Sequence, residues 1–249
     1  MTIEEKRNIL FNHCGEHLCK ECELFGVWSG DSGLQCMPIT TASEEELDWA
    51  LKLISYKPQN NSIIITNCKV YGLEDSIKAS KYPMAVDIDK CTSEITERTK
   101  VLAQCDTGTG HDQFLTGIIV QFDLAFTIKA WTEAERYHFF DFVSSQSTMH
   151  RITKFDVSKQ CIKYVRKKAI ENLEECIADY NADPTPEKYL EVVYNVPVGF
   201  KLTARMTTNY RQLKTIYQQR KTHRLPEWKV FCEWIEGLPY SGLITGKNF

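Results

Sequence analysis

The sequence predicts an α/β fold, with apolar strands alternating with helices and the longer helices in the second half. Two strands and a helix-bearing remainder carry that expectation. Phe200, Leu202, Ala204 and Met206 alternate with Lys201, Thr203 and Arg205, the period of a half-buried strand. Val120, Phe122, Leu124 and Phe126 alternate in the same way with Gln121, Asp123 and Ala125. Elsewhere apolar residues recur at helical spacing behind capping residues.

Residues 1–57 read as a separate, cysteine-rich module. Cys14, Cys19, Cys22 and Cys36 are spaced C-x4-C-x2-C-x13-C, with His13 and His17 close by. A CxxC pair sets two thiolates within reach of one tetrahedral ion, and two further ligands close a structural zinc site. Gly26, Gly30 and Gly33 give the intervening loop the freedom to return Cys36. Thiols without metal are the plain alternative, and the C-x4-C-x2-C portion also matches an iron–sulfur spacing. Ser43 and Glu46 form a capping box ahead of Leu47, Ala50, Leu51 and Ile54. The stretch YKPQNN at 56–61 reads as a linker, which places the main domain at 62–249.

In the main domain Ile63, Ile64 and Ile65 open a buried strand, residues 72–77 a short helix, and 81–105 an irregular segment. The loop CDTGTGHD at 105–112 has glycines at 108 and 110 that let backbone amides approach a phosphate. His111 and Asp112 could hydrogen-bond a substrate there; a plain turn is the other reading. Thr132 and Glu135 resemble a capping box for a helix AERYHFFDFVSSQSTMHR that is aromatic nearly all round, hence buried. It would enclose Arg136, His138, Asp141, Gln146, His150 and Arg151, and buried charge must be paired, as a structural network or a site. Ser144, Ser145, Gln146 and Ser147 are poor helix formers leading into His150 and Arg151.

Ser158–Tyr180 has the spacing of one long amphipathic helix, and Thr185-Pro186 starts another. After the strand at 200–206, Thr207, Thr208 or Asn209 caps a helix bearing Leu213, Ile216 and Tyr217. Asn209 and Arg220, about three turns apart, share one face, and His223 and Arg224 fall beside Arg220 if that helix continues. Pro226 begins a last helix, with Trp228, Phe231 and Ile235 packing and Gly237 as its stop.

At 249 residues, with 43% hydrophobic and 25% charged residues, the chain suits a soluble globular domain with a small appendage. No run approaches the ~18 apolar residues of a membrane span, and the N-terminus lacks the order of a secretory signal. A cytoplasmic protein with reduced thiols is expected. The net charge of −3 conceals an asymmetry: residues 1–60 carry −5 and residues 201–230 carry +7. A basic C-terminal surface implies an anionic partner, a nucleotide or a nucleic acid, unless it is simply a solvated face.

The spacing of Pro197, Asn209, Arg211, Leu213, Arg220 and Trp228 resembles the C-terminal signature of the flavin-dependent thymidylate synthases. That resemblance implies an α+β domain with a mixed or antiparallel sheet. It implies methylation of dUMP to dTMP, with FAD, methylene-tetrahydrofolate and NADPH, in a tetramer that shares its sites between subunits. By the same resemblance Arg220 would act on the pyrimidine carbonyl, and His223 and Arg224 would bracket the ligand. Asn209 and Arg211 would position cofactor or phosphate, and Ser145, Gln146, Ser147, His150 and Arg151 would form the opposing wall. The family's RHRxxSxNExSxR signature is only partly present: Asp141-Phe142-Val143 stands where RHR would be, and Val193 replaces a further arginine. These departures favour a second reading, a non-catalytic nucleotide- or protein-binding relative without flavin. A zinc-bearing nucleic-acid-binding protein is a third.

Overall fold

The computed structural model describes residues 64–247 apart from Thr107, and in the N-terminal part residues 2–16, 25–30, 33–36, 42–44, 47–48 and 50–51. The linker at 56–61, and with it the expected domain boundary, lies outside the described residues. So do Cys19 and Cys22. Cys14 and Cys36 are described only as backbone, in helix α1 (Ile3–Glu16) and strand β2 (Gly33–Cys36), which pairs antiparallel with β1 (Phe25–Gly30). Lys6 of α1 is paired with Glu44 and Asp48, at 2.8 and 2.7 Å. Leu47 and Ala50 are fully buried, as their helical spacing requires.

The main sheet has four strands, all antiparallel. In chain order they are β3 (Ile64–Tyr71), β4 (Ile119–Thr127), β5 (Asp141–Ser145) and β6 (Lys201–Asn209), and in space β3-β4-β6-β5. This is the α+β architecture with an antiparallel sheet that the sequence leads one to expect. Val120, Phe122, Leu124 and Phe126 of the central strand β4 are all at 0% exposure. Beside them Ala204 and Met206 of β6 are equally enclosed. Burying each large apolar side chain stabilises by about 1.5–3 kcal/mol, so these rows hold the sheet against its helices.

Three short helices accompany the first half of the sheet: α2 (Leu73–Ala79), α3 (Glu97–Ala103) and α4 (Ile128–Ala134). Helix α3 lies within the stretch expected to be irregular. Strand β3 is an edge strand rather than a buried one, with Ile64 49% exposed. Helix α4 is capped by Thr127, whose Oγ1 accepts from the Ala130 amide at 3.1 Å. Thr132 is no cap: it lies inside α4 and donates to the Lys129 carbonyl.

The expected buried helix at 134–151 does not form. The chain turns after α4, runs out as β5 on the sheet edge, and only then makes a single helical turn, α5 (Thr148–Arg151). Of its aromatic residues Tyr137 and Phe140 are buried, while Phe139 and Phe142 are exposed. Arg136, His138, Asp141, Gln146, His150 and Arg151 are all exposed. The physical reason is the vacant side of β6: Asp141 pairs with Thr207 and Ser145 with Ala204, with a bulge after Phe142.

The long helix expected over 158–180 is also interrupted. A turn of helix, α6 (Val157–Gln160), is followed by a bridge between Cys161 and Phe200, and the helix resumes as α7 (Lys167–Ala182). Gly199 makes the bridge possible, because a Cβ there would collide with Val165. Thr185 caps α8 (Pro186–Tyr194) as expected. These elements enclose a second, smaller core of Ile152, Val157, Leu173, Val192 and Phe200.

Asn209 caps α9 (Tyr210–Arg220), its Oδ1 accepting from the Gln212 amide at 2.9 Å. Leu213 and Ile216 of α9 pack on the sheet beside α10 (Pro226–Glu236), which packs Trp228 edge-on against Phe126 and Trp234 at a tilt against Phe122. A final turn, α11 (Gly242–Thr245), packs against α9. No described helix is long and apolar enough to cross a membrane.

The start of α9 is fixed by charge as well. Asp112, 1% exposed, accepts from Lys214 Nζ and Arg211 Nε, both at 2.9 Å, and Lys214 is itself buried. Asp112→Ala should therefore cost about 3–5 kcal/mol in chemical denaturation, because it strands the Lys214 ammonium. Asn209→Ala should cost about 1 kcal/mol, largely recovered in Asn209→Asp, which restores the cap.

Candidate functional site

Arg220 ends α9 and points inward, with 5% of its side chain exposed. Its Nε donates to Tyr137 Oη at 2.7 Å, and its two terminal nitrogens donate to Glu133 Oε2 at 2.9 Å and to the Glu133 carbonyl at 3.2 Å. The guanidinium also lies 4.8 Å from the Trp228 ring and 5.5 Å from that of Tyr137. Arg220 is thus held inside the protein rather than aimed at an open cavity. Hydrogen bonds from Lys129 and then from Arg220 hold the Glu133 carboxyl below its usual range.

Helix α9 stops at Arg220, so His223 and Arg224 lie in the turn after it instead of on its next face. His223 Nδ1 accepts from the Leu225 amide at 3.2 Å, which leaves the proton of a neutral ring on Nε2. That nitrogen is 3.8 Å from Glu133 Oε2, at the edge of the same cluster. Burial, then the charge of Arg220, pushes the His223 pKa down, so a neutral imidazole beside an ionised carboxylate is favoured at neutral pH. Arg224 is exposed.

A second group of expected site residues gathers where β5 ends. The Gln146 amide donates to the Thr203 carbonyl at 2.9 Å, and its side-chain Oε1 accepts from the Thr203 amide at 2.8 Å. This extends the β5–β6 ladder by a side chain, on a residue that is itself exposed. Ser147 stands at the start of α5 and makes no side-chain capping bond. Together with Arg151, Lys154 and Phe155 these residues line an open cavity of about 240 Å³. Phe155 is anchored by edge packing on Phe200, with centroids 5.5 Å apart, so the second core supports the cavity wall.

The lining offers two cations, a hydroxyl and an amide, and no carboxylate. Such a set suits an anion, above all a phosphate, since charge-assisted hydrogen bonds are the strongest available to it. No sequence motif singles out Lys154 and Phe155. The only trace of them there is the three-residue step from Arg151 to Lys154, which becomes a shared face once the chain makes a 3₁₀ turn over Ile152–Lys154.

The remaining candidates lie apart. Ser145 pairs with Ala204 on the exposed edge strand, and His150 and His111 are exposed outside the cavity lining. Arg211 is taken up by Asp112 and by Gln113, which accepts from it at 2.8 Å, and Asn209 is taken up by its cap. The loop at 105–112 thus serves as a turn whose Asp112 anchors α9. The +7 of residues 201–230 is only in part a surface: Lys214 and Arg220 are buried, Arg205 and Arg211 are paired with Asp123 and Asp112, and Lys221, Arg224 and Lys229 are exposed.

The positions corresponding to the flavin-holding arginines do not fit a flavin diphosphate. Asp141, Phe142 and Val143 lie exposed along β5, offering one carboxylate and two apolar side chains. Val193 packs against the second core.

No family profile matches the sequence, and no curated protein does. Solved structures do match in fold. Thymidylate synthase X from Helicobacter pylori, in a crystal structure with FAD and dUMP, superposes with a TM-score of 0.58 at 13% identity, over 75% of this chain and 97% of that one. A second crystal structure of that enzyme with FAD and dUMP gives 0.55 at 12%, over 75% and 98%. A UMP/dUMP methylase, PolB from Streptomyces cacaoi, bound with 5-Br dUMP, gives 0.51 at 15%, over 74% and 94%. The chain therefore has the fold of these nucleotide-modifying enzymes.

Proposed function

We propose that this chain binds a pyrimidine nucleoside monophosphate, with the phosphate in the cavity of Gln146, Ser147, Arg151 and Lys154. The observation that carries this reading is that cavity: three residues expected to form a nucleotide-facing wall meet there, and the structure adds a second cation. The solved structures of the same fold hold dUMP or a brominated dUMP. Arg220 acts in this reading as a positioning residue. After Lys129 it helps hold the Glu133 carboxyl below its usual range, and it lies against Trp228, while the partly exposed Glu133 and His223 remain available to a ligand.

A second reading, a thymidylate synthase-like enzyme that methylates the uracil ring with flavin, is favoured by the retained spacing of Asn209, Arg211, Arg220 and Trp228. Against it stand Asp141-Phe142-Val143 and Val193, which supply no cation to a flavin diphosphate.

Titration calorimetry with dUMP checks the first reading. The expected outcome is saturable binding to one site, weakened at least tenfold in Arg151→Ala/Lys154→Ala, because each charge-assisted hydrogen bond contributes ~1.5–3 kcal/mol. A wild-type chain that takes up no dUMP, or a double variant that binds it equally well, ends this reading. Absorption spectra separate the two readings. The protein should purify colourless and remain so after incubation with FAD and gel filtration; a stoichiometric flavin spectrum would restore the enzyme.

A further inference from the structure

The basic surface that the fold exposes begins at the cavity and runs on from it. Residues 151–168 contain seven lysines and arginines and one acid, Asp156. All seven cationic side chains are exposed. Lys159 pairs with Asp156 and Lys167 with Glu171. The other five, Arg151, Lys154, Lys163, Arg166 and Lys168, have no carboxylate within ion-pair distance among the described residues.

The same stretch turns its apolar residues inward. Ile152 and Val157 are buried in the second core, with Phe155 and Cys161 packed against it. The cations therefore form the outer skin of one small body, in which α6 touches α7. Two of them, Arg151 and Lys154, belong to the cavity wall. Arg166, Lys167 and Lys168 stand at the cap and first turn of α7, where the helix dipole disfavours positive charge and the turn itself holds no acid. Like charges crowded together without internal partners leave a field that an external polyanion would neutralise. Amid them Tyr164 is 66% exposed, with Lys163 Nζ 5.3 Å from its ring centroid. A flat exposed ring among cations is the pairing that stacks a base while its backbone is held.

We infer that this strip is a track for single-stranded nucleic acid, and that the nucleotide in the Arg151–Lys154 cavity is one unit of that strand. The placement of a nucleotide in the cavity rests on the proposed function; the track stands on the strip alone. Five exposed cations without an internal carboxylate can each meet a phosphate of a strand, the cavity takes one phosphate, and Tyr164 offers a stacking platform. An anionic lipid surface would use the cations but leave the ring and the cavity without a role.

Fluorescence anisotropy with a labelled oligodeoxyuridylate of about twenty units tests it on the full chain. Engagement of about four phosphates predicts an affinity that falls about fifty-fold between 50 and 200 mM salt. Lys163→Glu/Arg166→Glu/Lys168→Glu, all exposed and outside the cavity, should weaken the oligonucleotide at least tenfold and leave dUMP binding unchanged. Tyr164→Ala should weaken the oligonucleotide several-fold, again without effect on dUMP. A triple variant that binds the oligonucleotide as the wild type does, or a nearly flat salt response, overturns the track. Equal affinity for phosphatidylserine vesicles overturns its assignment to nucleic acid. Oligonucleotide binding that depends on the strip, with no uptake of dUMP, upholds the track while sinking the mononucleotide reading.

Discussion

A cation buried in a protein core must bring its counter-charge with it, and α9 carries two. Lys214 and Arg220 are 1% and 4% exposed. Their partners come from the two flanks of the central strand: Asp112 lies before β4 and Glu133 after it. The helix is therefore latched at both ends across the strand that forms the middle of the core. Ion pairs of this kind add little net stability, but a helix shifted along its axis would leave a bare charge in the interior. The latch thus decides position more than stability. It also orders the segment after α9, since Trp228 lies against the Arg220 guanidinium and His223 against Glu133.

The same strand pair that receives α9 also sets the cavity. On β6 the Leu202 carbonyl accepts from Trp131 Nε1 of α4, and the adjacent Thr203 holds Gln146 through both its amide and its carbonyl. The Arg220 cluster and the cavity wall are thus anchored to neighbouring residues of one strand. Between them lies the short edge strand β5, whose place beside β6 brings Gln146 and Ser147 to their positions. A segment with little burial of its own is located by its ladder bonds.

Local chemistry makes part of this legible. The alternation of β4 and β6, the Asn209 cap, the proline starts of α8 and α10 and the glycine after α10 are all written within a few residues. Segments decided at long range are not. The run at 134–151 reads as one buried helix, and only the vacant side of β6 draws residues 141–145 out as an edge strand. The interruption of the helix at Cys161 depends on Phe200 and Gly199, which lie far along the chain. Summed charge misleads for a similar reason: it counts Lys214 and Arg220 with the surface, although each is enclosed by an acid from another element. Within the site, Gln146, Ser147 and Arg151 are visible as an unusual polar run. Lys154 and Phe155 join them only through the 3₁₀ turn and the second core.

That second core also bears on the missing arginines. Val193 and Val192 of α8 both contribute to it, Val192 at 0% exposure and Val193 packed at its margin. Val193 is only partly buried, so an arginine there would lay its stem along the cluster and keep its guanidinium in water. Phe200 of the same core supports Phe155 in the wall of the cavity. The valine at this position gives the second core an apolar side chain and offers no cation, in the body that carries Arg151 and Lys154. A cofactor is held by side chains such as this one rather than by the arrangement of strands and helices, so the fold and the cofactor need not travel together.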